Sequence, residues 1–386
     1  MINPSWSPAE LQQLMGRPVR ATITREQRLS FAGRRILITG AGGSIGSELA
    51  RELAACGPAT IGLVDHSELA LFNIERELRR RWPAVGVEPM LLDVTRGAAI
   101  AGACRDLVPH VVYHAAAYKH VTMAERAPAA SLSANVLGTF ETARAASAAR
   151  ARFVLISSDK AADPKSVMGA TKRLAEIVAL SMASASFRPV VVRFGNVLGS
   201  SGSVLPIMRE CVRSGVPIPL TDPEATRFFM TAGEAVALVL RADLLGAGAE
   251  IFWLEMGRPI RVADLATRLM ALERAAGFAP VPIEIVGLRP GEKRTETLSD
   301  PRLVFDRTID RQIRVARQAS PSGPHVGRLV ARLRRIVEKA DDLAALAMLA
   351  DVLEGFSPST QAVARARRRT GGAASPDPLK RKGRAA

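Results

Sequence analysis

The sequence predicts an α/β protein: a doubly wound parallel sheet with a smaller lobe toward the C-terminal side. Three observations predict it. Short apolar runs alternate with amphipathic helical stretches from residue 35 to about 194, the pattern of a parallel sheet covered on both faces. A glycine triplet stands between the first run and the first helix. A corner of Ser, Asp and Lys closes the fifth run, and chemistry in such sheets collects outside the carboxyl ends of the strands.

In order, residues 1–32 read as an arm of mixed polarity with a short helical pattern around 11–15. Strands are expected at 35–38, 60–64, 87–92, 111–114, 153–156 and 190–194. Helices are expected at about 68–81, 98–107, 133–150 and 168–185, the first of all following the glycines through Leu49 and Leu53. After Gly195 the periodicity loosens; helix 232–245 and strand 251–254 are expected to return to the sheet. Beyond them come a helix at 263–275, a short strand at 283–286 and a helix at 326–337 whose apolar residues share one face.

The chain has 386 residues, 48% apolar and 23% charged, enough for an ample core and the balance of a soluble globular protein. No run approaches the ~18 apolar residues of a spanning helix, and MINPSWSPAELQQLMGRPVR lacks a signal-peptide core. The expected location is the cytoplasm. Cys56, Cys104 and Cys211 match no metal or disulfide spacing, so no metal is expected and the thiols are expected reduced. Of the net charge of +16, seven charges come from 361–386, where eight Lys and Arg face Asp377 alone. That Gly-, Ala-, Ser- and Arg-rich end reads as a disordered basic tail, with an anionic membrane or RNA contact as the alternative. The modest excess left on the body suits an anionic small substrate, and no nucleic acid is expected.

Gly40, Gly43 and Gly46 lie three apart between a strand and a helix. The first permits a tight turn, the second lets backbone approach a pyrophosphate, and the third allows close packing. The N–H groups of Ser44, Ile45 and Gly46 at the helix start are placed to receive the anion. Asp65 follows Gly46 by 19 residues at the end of the second strand, where a carboxylate meets the adenosine ribose. Because it would repel a 2′-phosphate, the expected cofactor is NAD rather than NADP. At the corner, Ser158, Asp159 and Lys160 put a hydroxyl, a carboxylate and an amine side by side. Lys172 follows Met168 by one helical turn on the same face.

TGAGGSIGSEL, AAAYKHV, NVLGT, SSDKAADPKSVMGATKR, RFGNVLGSSGSV, TRFFMT and LRPGEK together resemble, in that order, the extended short-chain dehydrogenase/reductases of polysaccharide biosynthesis. Among these the match is to the CapD-like UDP-N-acetylglucosamine 4,6-dehydratases, here as a short soluble form. The resemblance covers roughly 33–296, with LMGRPV similar to the family's lead-in. It implies a Rossmann domain at 33–195 completed by about 232–256, and a substrate lobe at 196–231 and 257–317. C-terminal helices at 318–360 and the tail at 361–386 complete the layout.

Family members oxidise carbon 4 of a nucleotide sugar with NAD, eliminate water across carbons 5 and 6, and return the hydride to carbon 6. By position, Ser158 would hold the 4-hydroxyl, with Asp159 as acid and Lys160 as base. Lys172 would bind the nicotinamide ribose. Serine stands at 158 where threonine is usual. Met168 stands where most short-chain dehydrogenases carry tyrosine, and a thioether transfers no proton. Removal of the 4-hydroxyl proton must then run through Ser158, Asp159, Lys160 or water. Asp93, Val94, Ala115, Ala116, Ala117 and Asn135 are the further cofactor contacts the resemblance implies.

Chemistry adds conditions. A base amine at neutral pH must titrate ~3 pH units below a free lysine, and Asp159 must carry a proton at rest. An ion pair between them is the alternative, and it would deny Asp159 the role of acid. For the substrate diphosphate we expect Arg227 and Arg289, with Asn196 and the backbone of Gly202, Ser203 and Val204. Lys119 and Glu292 are further candidates; the alternative for each charge is a solvated surface, and Arg193 on its buried strand reads as structural. Arg294-Thr295 replaces the apolar-aromatic pair of many relatives. The expected partners are a UDP-sugar and a second copy of the chain, pairing through helices near 133–150 and 168–185. Rival readings are an NAD-dependent epimerase or reductase, and a silent NAD-binding partner.

Overall fold

The computed structural model describes residues 6–19, 22–297, 303–317 and 326–369. Six strands, β1 (Arg35–Thr39), β2 (Thr60–Asp65), β3 (Gly86–Leu91), β4 (Val111–His114), β5 (Arg152–Ile156) and β6 (Pro189–Arg193), lie parallel in the order 3-2-1-4-5-6. Strand Glu250–Leu254 extends the sheet in parallel beside β6. Successive side chains leave opposite faces, so Ile36 and Ile38 enter one core while Leu37 enters the other. Val190 and Val192 against Val191 repeat the division. With both faces buried, the central strands read as continuous apolar runs, whereas the edge strand β3 exposes Glu88, Pro89 and Leu91. Helices Ser44–Ala54 and Ala232–Leu245 cover one face, and Gly97–Leu107, Gly138–Ala148 and Val167–Ser181 the other. The sequence reading of the doubly wound sheet holds, and helix Glu68–Arg81 falls on the expected residues.

Several expectations need correction. Residues at the end of the proposed substrate lobe belong to the main sheet: Ile313–Arg317 pairs antiparallel with Glu250–Leu254, and Asp306–Arg307 pairs with it in turn. Ile313 and Ala316 are buried there, and the Phe305 ring meets Trp253 edge-on. The loosely periodic stretch after Gly195 holds a full helix, Val204–Arg213. The expected helix at 133–150 begins earlier, at Pro128, and passes through a π-turn at Ser133–Leu137. The arm is no appendage. Trp6, Leu14 and Met15 pack into the core of the smaller lobe with Leu205 and Leu265, while Ile23 and Phe31 enter the sheet core.

The tail assignment at 361–386 starts too early. Thr360–Arg369 is helical, Ala362 and Ala366 are buried, and Arg369 pairs with Asp342 at 3.0 Å. Residues 370–386 lie outside the described residues. Helices Val326–Glu338, Asp342–Val352 and Thr360–Arg369 form an apolar cluster with Leu132, Val136, Leu174 and Val178. They therefore occupy part of the surface on helices 133–150 and 168–185 where a second subunit was expected. Cys56 and Cys104 are buried free thiols, and burial pushes both up to about 11; Cys211 is half-buried. Among the described residues no helix is long and apolar enough to cross a membrane.

Candidate active site

The glycine turn after β1 is built by close approach. Gly40 has φ +66°, and a Cβ there would stand 2.7 Å from the Ala116 backbone. A Cβ on Gly46 would stand 2.0 Å from the Gly40 carbonyl oxygen. Gly43 caps helix Ser44–Ala54 with no side chain accepting from its first turn. The amides of Ser44, Ile45 and Gly46 are therefore open to an anion. Asp65 Oδ2 accepts from Gly42 N–H at 2.9 Å and Oδ1 from Ser67 N–H at 2.9 Å, which fixes the carboxylate at the rim of the turn. Ala115, Ala116 and Ala117 line its other side after β4, Ala115 N–H donating to Thr39 O. Val94 is buried against Gly138, and Asp93 is exposed, accepting from both donors of Thr95.

Asn135 serves as a brace. In the π-turn its Oδ1 accepts from Tyr118 N–H at 2.7 Å, and its Nδ2 donates to Tyr118 O and Thr171 Oγ1. It ties the loop after β4 to the helix that carries Lys172. Lys172 is buried and its Nζ donates to Ile156 O at 2.6 Å. Burial brings its amine down to about 8, against a smaller opposing pull from Glu176. His114 beneath is neutral, held at about 3 by burial and by Lys172. Met168 is buried in the apolar cluster formed with the C-terminal helices.

At the end of β5, Ser157 N–H and Asp159 N–H donate to Val192 O and Phe194 O, which pins the corner to β6. Ser158 Oγ donates to Asp159 Oδ1 at 2.8 Å, and Lys160 Nζ donates to the same oxygen at 3.0 Å. Asp159 is 1% exposed, and its Oδ2 is buried with no partner among the described residues. Lys160 also donates to Asn196 Oδ1 at 3.0 Å and lies 3.3 Å from Glu296 Oε1. Burial pulls its amine down, but the Asp159 and Glu296 carboxylates outweigh this and raise it overall. The expected neutral pair at rest is thus corrected: facing two carboxylates, Lys160 rests as a cation in an ion pair.

Behind the corner, Glu176 is fully buried between Arg193, bonded at 2.8 and 2.6 Å, and Arg173 at 3.1 Å. Ser157 Oγ donates to it at 2.5 Å. Arg193 is structural, as its strand position implied.

The expected substrate residues divide. Lys119 Nζ donates to Ser200 Oγ at 3.2 Å, and Ser201 N–H donates to Ser44 Oγ at 3.0 Å. Loop 199–203 thus meets the glycine turn, with Gly202 closed against the His120 ring. Ser203 caps helix Val204–Arg213 without a side-chain bond, and its Oγ is buried and unpartnered among the described residues. Arg289 is exposed, its N–H donating to Glu292 Oε2 at 3.1 Å. Asn196 sits on Lys160 instead of with the diphosphate group. Arg227 is likewise employed elsewhere: its two Nη atoms donate to the carbonyls of Thr226, Arg294 and Lys293.

A family model described as polysaccharide biosynthesis protein matches residues 36–317. The chain belongs to that family. It is 43% identical over 299 residues to the capsular polysaccharide biosynthesis protein CapD of Staphylococcus aureus, a match covering 75% of this chain and 49% of that protein. The chain spans about half the length of the curated relatives it matches first. Among solved structures, Pen from Bacillus thuringiensis is 26% identical with a TM-score of 0.70, covering 80% of this chain and 98% of that one. The UDP-glucose 4-epimerase of Thermus thermophilus, in complex with NAD, is 24% identical with a TM-score of 0.58, covering 69% and 91%. The family match bears out the resemblance to polysaccharide biosynthesis proteins, and the fold is that of the extended short-chain dehydrogenase/reductases.

Within this family setting, sequence reasoning missed Glu296, which lies three residues beyond the LRPGEK motif and reaches the corner only through the folded lobe. It also missed Lys293, whose Nζ donates to Asp163 O at 2.6 Å. Arg294 and Thr295, the departures from the usual pair, dock the same loop, through Asp222 at 3.1 Å and a bridge to Thr226.

Proposed function

We propose that this chain is a nucleotide-sugar 4,6-dehydratase that works through NAD, with UDP-N-acetylglucosamine as substrate, in the making of a surface polysaccharide or glycan. One observation carries the reading. A hydroxyl, a carboxylate and an amine form a bonded chain at the end of β5, and the carboxylate's second oxygen is buried with no partner among the described residues. Simple 4-epimerisation needs no acid for a 6-hydroxyl, whereas this oxygen suits one.

The glycine turn fits the cofactor: its open first-turn amides would take the pyrophosphate, Asp65 the adenosine ribose and Lys172 the nicotinamide ribose. When bound, NAD supplies the hydride acceptor for carbon 4 and the donor for carbon 6. Asp65 leaves no place for a 2′-phosphate. For the substrate diphosphate the available groups are the Arg289 guanidinium, Lys119, and the helix start at Ser203 and Val204. Glu292 braces the turn that presents Arg289.

The resting ion pair suits this chemistry once protons are followed. As carbon 4 is oxidised, its hydroxyl proton passes through Ser158 Oγ to Asp159, breaking one O–H bond and forming another. Asp159 thereby becomes the carboxylic acid that the next step requires. It then protonates the departing 6-hydroxyl, which leaves as water, while Lys160 removes the proton from carbon 5. Lys160 can do so only after shedding the proton its ion pair holds. The test is to incubate the protein with UDP-N-acetylglucosamine and NAD and weigh the product. Loss of one water supports dehydration; an isomer of equal mass would make it an epimerase, and unchanged sugar a silent partner.

A further inference from the structure

We infer that Glu296 takes the proton of Lys160 and returns it in each catalytic cycle, as a positioning residue that acts through the lysine without touching the sugar. The inference rests on the dehydratase reading and adds a residue to it.

The geometry favours Glu296 over other acceptors. Its carboxylate is buried, with the side chain 5% exposed, and stands 3.3 Å from Lys160 Nζ. Asp159, the other carboxylate in reach, is committed to the 4-hydroxyl proton and must still hold it when water leaves. If it accepted from Lys160 as well, two protons would compete for its single free valence. Asn196 accepts a hydrogen bond but no proton at neutral pH. The charged groups facing the pair are Asp159 on the corner itself and Arg227, whose Nε lies 3.9 Å from Glu296. Arg227 opposes the lysine's charge.

The loop that carries Glu296 is docked at several points. Gly291, at φ +77°, is so close that a Cβ would stand 2.8 Å from Ser166. Lys293 holds Asp163 and Arg227 holds the carbonyls of residues 293 and 294. The loop therefore delivers a fixed carboxylate from the smaller lobe to an amine of the larger one.

The proton count closes. At the start Lys160 is an ammonium and Glu296 a carboxylate. The N–H proton moves to Glu296, leaving an amine and a carboxylic acid. The amine takes the carbon 5 proton and later gives carbon 5 a proton back. Glu296 then reprotonates Lys160, and both groups end as they began.

Two measurements on the full chain decide the matter. The first is kcat/KM against pH for the wild type, Glu296→Gln and Glu296→Asp. Glu296→Gln should be lower by on the order of a hundredfold at neutral pH, within the range of a general acid–base partner. It should recover about tenfold per pH unit as Lys160 ionises by itself, and Glu296→Asp should regain part of the neutral activity. A Glu296→Gln enzyme within threefold of wild type, or one depressed equally at every pH, would overturn the proposal. The second needs no turnover: competitive acetylation of Lys160 against pH, read by mass spectrometry of its peptide. Its midpoint should fall in Glu296→Gln and coincide with the pH at which that variant's activity levels off. An unchanged midpoint overturns the proposal even if the wild type proves not to dehydrate the sugar, an outcome that by itself counts only against the dehydratase reading.

Discussion

Replacing Asp159 with Asn tests the acid directly. The side chain is fully buried, accepts from Ser158 at 2.8 Å and from Lys160 at 3.0 Å, and leaves Oδ2 without a partner among the described residues. Removing one member of a buried ion pair costs about 3–5 kcal/mol when the other charge is stranded. Here Lys160 keeps Glu296 and Asn196, and the asparagine oxygen can still accept two hydrogen bonds, so about 1–2 kcal/mol of stability should be lost. Catalysis should suffer far more. Asparagine neither receives the 4-hydroxyl proton nor donates one to the 6-hydroxyl, and general acid–base groups contribute roughly 10²- to 10⁴-fold. The assay is water loss from UDP-N-acetylglucosamine by mass spectrometry, beside urea unfolding and NAD titration. Turnover within tenfold of wild type would refute the reasoning. So would loss of NAD binding together with turnover, because the proposed cofactor site lies with the glycine turn and Lys172.

Lys172 ties stability to pH. Its amine titrates at about 8 in the fold against ~10.4 unfolded, so between these values the unfolded chain binds more protons and stability rises with pH. The wild type minus Lys172→Met difference in unfolding free energy should climb by about 2.5 kcal/mol from pH 8 to 10.5; a flat or falling difference in urea melts would contradict this. Gly46→Ala drives a methyl to 2.0 Å from the Gly40 carbonyl oxygen, which should cost about 1–3 kcal/mol and weaken NAD at least tenfold, by about 1.4 kcal/mol, in a fluorescence titration. Glu176→Gln removes the carboxylate shared by two buried arginines, and the thermal midpoint should drop by the equivalent of about 3–5 kcal/mol; near-wild-type melting would show that the arginines find other compensation.

The sheet was legible because its central strands are buried on both faces and the helices covering it carry apolar stripes, so period separates them. The glycine turn was legible because its residues are local: strand, turn, helix and Asp65 fall within 31 residues, 35–65. What stayed hidden depends on contacts far apart in sequence. Glu296 meets Lys160 across 136 positions of chain, and nothing in the pattern of residue 296 announces a buried carboxylate. Ile313–Arg317 shows little alternation in sequence, and only its pairing with Glu250–Leu254 makes it a strand. Arg227 reads as a cation for the substrate diphosphate because spacing cannot reveal that its Nη atoms donate to three carbonyls. The helix at Thr360 looked like the start of a tail because its composition is basic, yet Ala362 and Ala366 suffice to dock one face.

In the proposed reaction a proton leaves carbon 5 while carbon 4 is a ketone. Running the reaction on UDP-N-acetylglucosamine in deuterated water measures that step, because the proton returned to carbon 5 comes from an exchangeable amine. The product should lack one water and carry deuterium at carbon 5, with the original carbon 4 hydrogen found on carbon 6. A product of unchanged composition free of deuterium at carbon 5 would contradict it.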